Sequence, residues 1–277
     1  MKRIATPLLI VTVLFMGWGC VRGGATQPVV SSRSSLLAPR SSSTTTAEAA
    51  IPFTWSSIGD GAERGEKTIP NGEYTAHLIA YRFDPKKYDF HFAQTDQPKL
   101  VSAWMQENST ASFIINGVYF QEDHSPAGML RIDNTNVGSR SFDAKKSGLI
   151  IFGSDGNRIM DTSVNNVKDP KASNEAQSYP FLIKNGSPAI QDDSGLVARR
   201  SFIGIDIDGK IIFGAYVGGE ISLSSLSQLL ATLPVTWTNA INLDGGASTG
   251  FSANISGYQE LEDSYVDIPN VIEVEKR

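Results

Sequence analysis

The segment AINLDGGASTGF, residues 240–251, runs an apolar stretch into a single aspartate followed by two glycines. Asp244 precedes this Gly-Gly pair, and Ser248 and Thr249 follow shortly after it. Asp-Gly and Gly-Gly pairs are common in turns between strands, and most of them carry no chemistry. The segment therefore predicts a strand that ends in a turn, and it leaves open whether Asp244 also acts on a ligand.

A second segment, SFIING at residues 112–117, has the same arrangement and ends its apolar stretch at Asn116. The spacing of apolar residues predicts a helix before each segment, over Lys99–Glu107 and over Leu223–Leu233. In sheets fed by helices, ligands commonly meet the backbone at the carboxyl ends of strands, where glycine permits close approach. We expect Asn116 and Asp244 to occupy equivalent places and to converge on one site, although two turn-forming residues would give the same spacing.

Strand-like segments joined by turn residues fill much of the remaining chain. Tyr74–Phe83 and Tyr88–Gln94 are strand-like and flank the turn Asp84-Pro85-Lys86-Lys87. Further hairpin signals are the pairs Asp155-Gly156, Asn185-Gly186 and Asp208-Gly209. Together these signals predict an α+β fold, a single domain of mixed β-sheets with hairpins and a few flanking helices.

Residues 1–20 predict export. Lys2 and Arg3 precede an apolar run, Leu8–Phe15, which is about as long as a signal-peptide core and too short to span a bilayer. Cys20 follows this run and is the candidate for lipidation in a bacterial lipoprotein, with plain secretion or a structural cysteine as the alternatives. Because the chain has one cysteine, a disulfide within it is excluded. We expect a lipoprotein of the cell envelope, otherwise a secreted or periplasmic protein, with a lipid anchor as its sole membrane contact.

Residues 21–50 are rich in Ser, Thr and Pro and predict a disordered tether, which leaves residues 51–277 as the folded domain. The first fifty residues hold five of the 24 basic and one of the 29 acidic residues, so 19 and 28 remain and the net charge of the domain is −9. A domain this acidic is a poor nonspecific binder of nucleic acid.

Seven segments, taken together, point to a family. They are FIINGVYF (113–120), SPAGML (125–130), YPFLIKNG (179–186), ARRSFIGIDIDGK (198–210), LSSLSQLL (223–230), AINLDGGASTGF (240–251) and IPNVIEV (268–274). Their order and rough spacing resemble the phosphodiester glycosidase family over about residues 76–274. Two positions depart from the family pattern: Val118 stands where a second glycine is usual, and Ser201 stands where threonine is common.

The resemblance implies an exported hydrolase that cleaves the glycosidic bond of a sugar-1-phosphate diester in a glycan or cell-surface polymer. The implied catalytic residues are Asp244, Asn116 and Arg200. The implied substrate-binding residues are Gly117, Tyr119, Gly245, Gly246, Ser248 and Thr249. No cofactor or metal is implied in the site, and a metal requirement is left open.

The chemistry assigns a different role to each catalytic candidate. Asp244 would be a general base toward water or the anion that faces the developing positive charge on the sugar. Arg200 would hold the departing phosphate with its planar fork of donors, and Arg199 would be its exposed neighbour on the opposite face of the strand. Asn116 does not exchange protons at neutral pH and would hydrogen-bond to sugar hydroxyls or phosphate oxygens. A second carboxylate is not identified, and its candidates are Glu122, Asp123 and Asp206.

Other chemistries fit the sequence less well. Ser248 does not lie in a nucleophile elbow, and His77, His91 and His124 fall in no catalytic order. The pair Asp206 and Asp208 lacks the further acids of a calcium loop, and no zinc-ligand spacing occurs in the sequence. The main alternative is a non-catalytic, surface-anchored glycan-binding protein with the same pocket, and Val118 is the feature that favours it.

Overall fold

A computed structural model describes residues 52–71, 74–138, 143, 145–165 and 172–277. The predicted signal peptide, Cys20 and the tether lie outside these residues. All the described residues belong to one compact unit. Among them, no helix has both the length and the apolar character needed to cross a membrane.

Strands make up most of the described secondary structure. The strands are β1 (Trp55–Gly59), β2 (Ala62–Asn71), β3 (Tyr74–Phe83), β4 (Tyr88–Lys99), β5 (Ala111–Asn116), β6 (Leu130–Ile132), β7 (Thr135–Val137), β8 (Gly148–Phe152), β9 (Arg158–Asp161), β10 (Asn174–Ser178), β11 (Phe181–Lys184), β12 (Ser187–Pro188), β13 (Val197–Asp206), β14 (Ile211–Ser222), β15 (Trp237–Asn242), β16 (Phe251–Ile255), β17 (Tyr258–Glu262) and β18 (Ile268–Lys276). The helices are α1 (Val101–Glu107), α2 (Thr162–Asn165) and α3 (Leu223–Ala231), with a 3-10 turn at Gly246–Ser248.

The strands form three sheets. An eight-stranded sheet has the order β1-β2-β3-β14-β13-β15-β11-β12, and the two five-stranded sheets have the orders β7-β6-β10-β8-β9 and β17-β16-β5-β18-β4. Every strand pair among the described residues is antiparallel. The predicted mixed sheets are therefore wrong, and the fold is mostly β rather than α+β. The physical reason is that α1 and α3 each connect two strands of one sheet that are not neighbours. An antiparallel strand lies between them, β18 between β4 and β5, and β13 between β14 and β15.

The main hydrophobic core collects side chains from all three sheets. Phe83 and Phe213 of the eight-stranded sheet contact Phe113 of β5, with ring centroids 5.4 and 5.6 Å from Phe113. Burial of such a side chain stabilises a fold by about 1.5–3 kcal/mol. The two longer helices cover outer faces: α3 packs through Leu226 and Leu230 on the eight-stranded sheet, and α1 packs on β5 and β18.

Both predicted helices form, but each is shorter than predicted. The Oγ atom of Ser222 accepts a hydrogen bond from the N–H of Ser225 at 3.1 Å and starts α3, which ends at Ala231 rather than Leu233. Helix α1 begins at Val101 instead of Lys99, because β4 extends to Lys99.

The three predicted hairpin turns are confirmed. They lie between β8 and β9, between β11 and β12, and between β13 and β14. Each contains the backbone conformation that such turns require, because Gly156, Gly186 and Gly209 all have positive φ. In the third turn, the carboxylate of Asp206 accepts the N–H groups of Asp208 and Lys210 at 3.0 and 2.9 Å. These bonds account for the aspartates as turn residues.

Candidate active site

The ends of β5 and β15 meet although they belong to different sheets. The side-chain amide of Asn116 donates a hydrogen bond to the backbone carbonyl of Asp244 at 2.8 Å, and the N–H of Asp244 donates to the carbonyl of Gly117 at 3.1 Å. The expected convergence of the two strand ends is therefore present. It brings the Asn-Gly and Asp-Gly-Gly turns into direct contact.

The side chain of Asn116 is used entirely by the protein. Its Oδ1 atom accepts hydrogen bonds from Ser201 Oγ at 2.6 Å and from the N–H of Gly250 at 3.2 Å. With its Nδ2 atom on Asp244 and a residue exposure of 1%, no part of the amide is presented to solvent. Asn116 therefore ties β13, the Asp244 turn and the start of β16 to the end of β5.

Asp244 is partly buried and has no cationic partner among the residues that the structure describes. Its Oδ1 atom accepts the N–H of Gly245 at 2.9 Å, and Ser248 forms a second hydrogen bond with the carboxyl group. Burial raises the pKa of Asp244 above its usual value, whereas these two hydrogen bonds oppose the rise. A carboxylate with a raised pKa and no ion pair has the electrostatic environment of a base or nucleophile rather than of a salt bridge.

The loop after Asp244 leaves room on its outer side. A Cβ atom at Gly246, whose φ is 63°, would meet nothing within 4 Å, whereas a Cβ atom at Gly245 would lie 3.0 Å from the carbonyl oxygen of Arg199. Ser248 and Thr249 are buried, and the Oγ1 atom of Thr249 has no hydrogen-bond partner among the described residues. The glycine pair thus serves two purposes, a close approach to β13 at Gly245 and an open surface at Gly246.

Of the two adjacent arginines of β13, Arg199 differs from its prediction. Arg199, predicted to be exposed, is 6% exposed and donates to Glu262 at 2.7 Å, while its guanidinium lies 4.0 Å from the ring centroid of Tyr265. The prediction for Arg199 is wrong because the β13–β14 register shifts between Ala198 and Arg200, which breaks the strict alternation of the strand.

Arg200 is half-buried beside the Asp244 turn. Its Nε and Nη2 atoms donate to the backbone carbonyls of Ile221 and Leu196 at 3.2 and 3.0 Å. Its Nη1 atom lies 3.8 Å from the position that a Cβ atom of Gly245 would occupy. No carboxylate forms an ion pair with Arg200 in the described part of the chain; burial lowers its pKa, and the nearby Tyr119 and Glu220 oppose that shift. Two backbone carbonyls thus hold the guanidinium in place and leave Nη1 available.

Tyr119 lies within electrostatic range of both Arg200 and Asp244. Its hydroxyl accepts a hydrogen bond from Nδ2 of Asn242. Burial and the negative charge of Asp244 raise its pKa, and the positive charge of Arg200 opposes the rise. The ring of Tyr119 packs against that of Tyr179, with centroids 4.9 Å apart. These contacts place Tyr119 within electrostatic range of both Asp244 and Arg200.

Sequence reasoning missed Asn242 and Tyr179. Asn242 is fully buried and lies two residues before Asp244, so the period of a strand was the signal that could have found it. Tyr179 is 39% exposed, and the Nζ atom of Lys146 lies 5.3 Å from its ring centroid. Tyr179 precedes Phe181 in one of the segments that resemble the family, but nothing in its spacing marks it as a site residue.

The two departures from the family pattern do not obstruct the turn. Val118 is 2% exposed, and its side chain packs in the main core. The hydroxyl of Ser201 donates a hydrogen bond to Oδ1 of Asn116. Gly117 is required for a steric reason, because a Cβ atom there would lie 2.0 Å from Oδ1 of Asn270.

The candidate second carboxylates do not gather around Asp244. Glu122 and Asp123 are exposed, and Asp123 caps its own turn through Ser125. Asp206 lies in the β13–β14 turn. Glu220, which sequence reasoning did not consider, is an exposed acid whose charge acts on Arg200.

Comparison with known protein families places the chain in one of them. The family model for phosphodiester glycosidases matches residues 109–275. The chain belongs to the phosphodiester glycosidase family. The matched range contains Asn116, Tyr119, Arg200 and Asp244, and it confirms the resemblance noted in the sequence.

Solved structures show the same fold at low sequence identity. The zebrafish N-acetylglucosamine-1-phosphodiester alpha-N-acetylglucosaminidase catalytic domain, auto-inhibited by its pro-peptide, is 16% identical with a TM-score of 0.59, covering 82% of this chain and 88% of that domain. A hypothetical protein from Synechocystis is 14% identical with a TM-score of 0.57, covering 83% of this chain and 64% of that one. No curated protein matches the chain by sequence.

Proposed function

We propose that this protein is an exported glycosidase that hydrolyses the glycosidic bond of a sugar-1-phosphate diester in a glycan or cell-surface polymer. One observation carries the proposal. Asp244 and Arg200 are both partly buried, neither has an ion-pair partner among the described residues, and Gly245, which follows Asp244, lies beside the Arg200 side chain. Burial of a charged group without a partner is costly, and such groups are typical of sites whose substrate completes the pairing.

The bond that breaks joins the anomeric carbon of the sugar to the phosphate oxygen. The phosphate leaves with the bonding electrons as a monoester of its other alcohol, and water supplies the new hydroxyl on the sugar. Asp244 takes the proton from that water, and its negative charge faces the developing positive charge at the anomeric carbon. The raised pKa of Asp244 makes it a stronger base than an exposed aspartate.

Arg200 receives the departing phosphate. A phosphate is a good leaving group, so it needs charge neutralisation more than protonation, and a fixed guanidinium supplies it. The carbonyls of Ile221 and Leu196 hold the guanidinium before the substrate binds. This pre-arrangement lowers the reorganisation that the reaction requires.

Two further groups prepare the site. Asn116 is a positioning residue rather than a ligand-binding one, because all its hydrogen bonds hold the turn that carries Asp244. The side chain of Tyr179 is partly exposed, and its ring packs against Tyr119 with Lys146 nearby. An aromatic face of this kind provides apolar surface for a sugar ring.

No specific observation now favours the non-catalytic, glycan-binding alternative, because the side chain of Val118 packs in the core instead of filling the turn. Lipidation at Cys20 and a location in the cell envelope remain predictions. Their test is fractionation: Cys20→Ser is expected to move the protein from the membrane fraction to the soluble exported fraction.

The experiment that tests the proposal is a screen of the purified protein against sugar-1-phosphate diesters, with and without a chelator. We expect stoichiometric release of free sugar and phosphomonoester. Saturable binding without release would support a binding protein. Absence of both binding and release across a broad panel of sugars would count against the proposed substrate class.

A further inference from the structure

One histidine and two glutamates form a compact cluster on adjacent strands of a five-stranded sheet. His91 of β4 lies opposite Glu273 of β18, and Glu275 follows two residues later on the same face. The Nε2 atom of His91 is 3.0 Å from Oε2 of Glu273 and 3.9 Å from Oε1 of Glu275. One ligand atom from each of the three residues lies within 4.8 Å of the other two.

The cluster has an excess of negative charge. His91 is the sole ion-pair partner of both glutamates among the residues that the structure describes, and the side chain of Glu273 is 8% exposed. The charge of Asp133 also acts on His91. The charges of three carboxylates thus act on one imidazole. Within the described part of the chain, neither glutamate forms an ion pair with a lysine or an arginine.

The other histidine–glutamate pair of the fold shows what an ordinary ion pair looks like in this protein. His77 contacts Glu66 at 2.6 Å, but Arg64 also pairs with Glu66 at 2.8 Å, so a permanent cation is present. The exposures of the two histidines are similar, at 35% for His77 and 28% for His91. The difference between the clusters is therefore the missing cation and the additional carboxylate.

We propose that His91, Glu273 and Glu275 bind a divalent transition-metal ion such as Zn²⁺. Metal bonds to histidine nitrogen and carboxylate oxygen of about 2.0–2.2 Å place neighbouring ligands roughly 3–4 Å apart, which the cluster meets with small side-chain rotations. An imidazole together with two carboxylates favours Zn²⁺ or a related ion over Ca²⁺ and Mg²⁺, which prefer sets of oxygen ligands. Water fills the remaining positions, because His91 lines an open cavity of about 540 Å³.

Neighbouring side chains hold the cluster in position. Asn108 donates to Oε1 of Glu275 at 3.4 Å, and the hydroxyl of Thr110 donates to the same atom. Both donors come from the segment that joins α1 to β5. A metal here would therefore join the paired strands β4 and β18 to the segment that leads into β5 and Asn116. This site is separate from the Asp244 turn, and its function does not depend on the proposed hydrolysis.

The experiment is metal binding by the full chain after chelation and dialysis, with Cys20→Ser in every sample to remove the thiol as a competing ligand. We expect isothermal titration with ZnCl₂ to show one equivalent bound, and CoCl₂ to give a visible spectrum that Zn²⁺ abolishes. His91→Gln and Glu273→Gln should each weaken binding by more than about tenfold. Glu275→Gln changes the more exposed ligand, leaves the buried pair of His91 and Glu273 intact, and should also weaken binding.

The matched control is His77→Gln, which removes the other histidine of a glutamate pair and should bind Zn²⁺ like the parent chain. Circular dichroism verifies that each variant is folded. The proposal is overturned if the parent chain shows no saturable binding, or if His91→Gln and Glu275→Gln bind as tightly as the control. Either result would leave the cluster as an ion pair.

Discussion

Asn116 and Asp244 end two strands of different sheets and lie one hydrogen bond apart, yet the protein uses their side chains in opposite ways. Every polar atom of the Asn116 side chain is bound within the fold. The carboxylate of Asp244 has two hydrogen bonds and no cation, and burial raises its pKa. The comparison teaches that residues in similar sequence positions can have different roles. Asn116, whose polar atoms are all hydrogen-bonded, holds the site together, whereas Asp244, which has no cationic partner, remains able to act as a base.

The strongest test of this division is Asp244→Asn. Asparagine keeps the size and can accept the N–H of Gly245, but it is neither a base nor an anion. We expect sugar release to fall by about 100- to 10,000-fold. The melting temperature should stay the same or rise slightly, because a buried carboxylate without a cation is costly to ionise. If the variant releases sugar at the normal rate, Asp244 has only a structural role in its turn, as Asn116 does.

For Asn116→Ala, in contrast, we expect the main effect to be a loss of stability. This change leaves Ser201 Oγ, the N–H of Gly250 and the carbonyl of Asp244 without their partner, and a buried network of this size contributes about 2–4 kcal/mol to the free energy of unfolding. The melting temperature should fall by roughly 5–15 °C. If the variant keeps its stability but cannot bind substrate, Asn116 is a ligand-binding residue and the comparison fails.

The two adjacent arginines sharpen the same distinction. Arg200→Lys keeps the charge but loses the planar fork, so kcat/KM should fall on the order of 10- to 100-fold while the melting temperature changes little. The matched control is Arg199→Lys, which loses its contacts with Glu262 and Tyr265. It should lower the melting temperature and keep most of the activity. Equal effects of the two variants on kcat/KM would remove the phosphate role from Arg200.

The two arginines also show which features the sequence could predict and which it could not. Local patterns predicted the three hairpins and the two helices, since each depends on residues near one another in the chain. The meeting of Asn116 with Asp244, 128 residues later, was expected because the two strand ends have the same local sequence pattern. The assignment of Arg199 to the exposed face failed because a register shift in β13 is a property of its pairing with β14. Mixed sheets were expected, but one antiparallel strand lies between the two strands that each long helix joins.

Local patterns could not predict most contacts between residues that are far apart in the sequence. Glu273 lies 182 residues after His91, so no ligand spacing in the sequence could reveal that the two share a sheet face. Tyr179 was missed for the same reason, because its role depends on the ring of Tyr119, which another part of the chain supplies. Short motifs identified the turn that carries Asp244, and the pairing of strands determined its surroundings.

The smallest expected effect is a pH dependence in which the stability contributed by Asp244 and the catalytic activity change in opposite directions. Burial raises the pKa of Asp244 in the folded chain above its ordinary value of 3.8. Between the unfolded and folded pKa values, Asp244 therefore binds more protons in the folded chain than in the unfolded one, so its contribution to stability falls as pH rises through this window. Activity rises through the same window, because the base must be ionised. The measurements are melting temperature and kcat/KM against pH for wild type and Asp244→Asn. We expect the wild type to lose stability relative to the variant over the interval in which its own activity appears. If the stability of the wild type relative to the variant does not fall over that interval, the group whose ionisation turns on activity is not Asp244, and the catalytic base lies elsewhere.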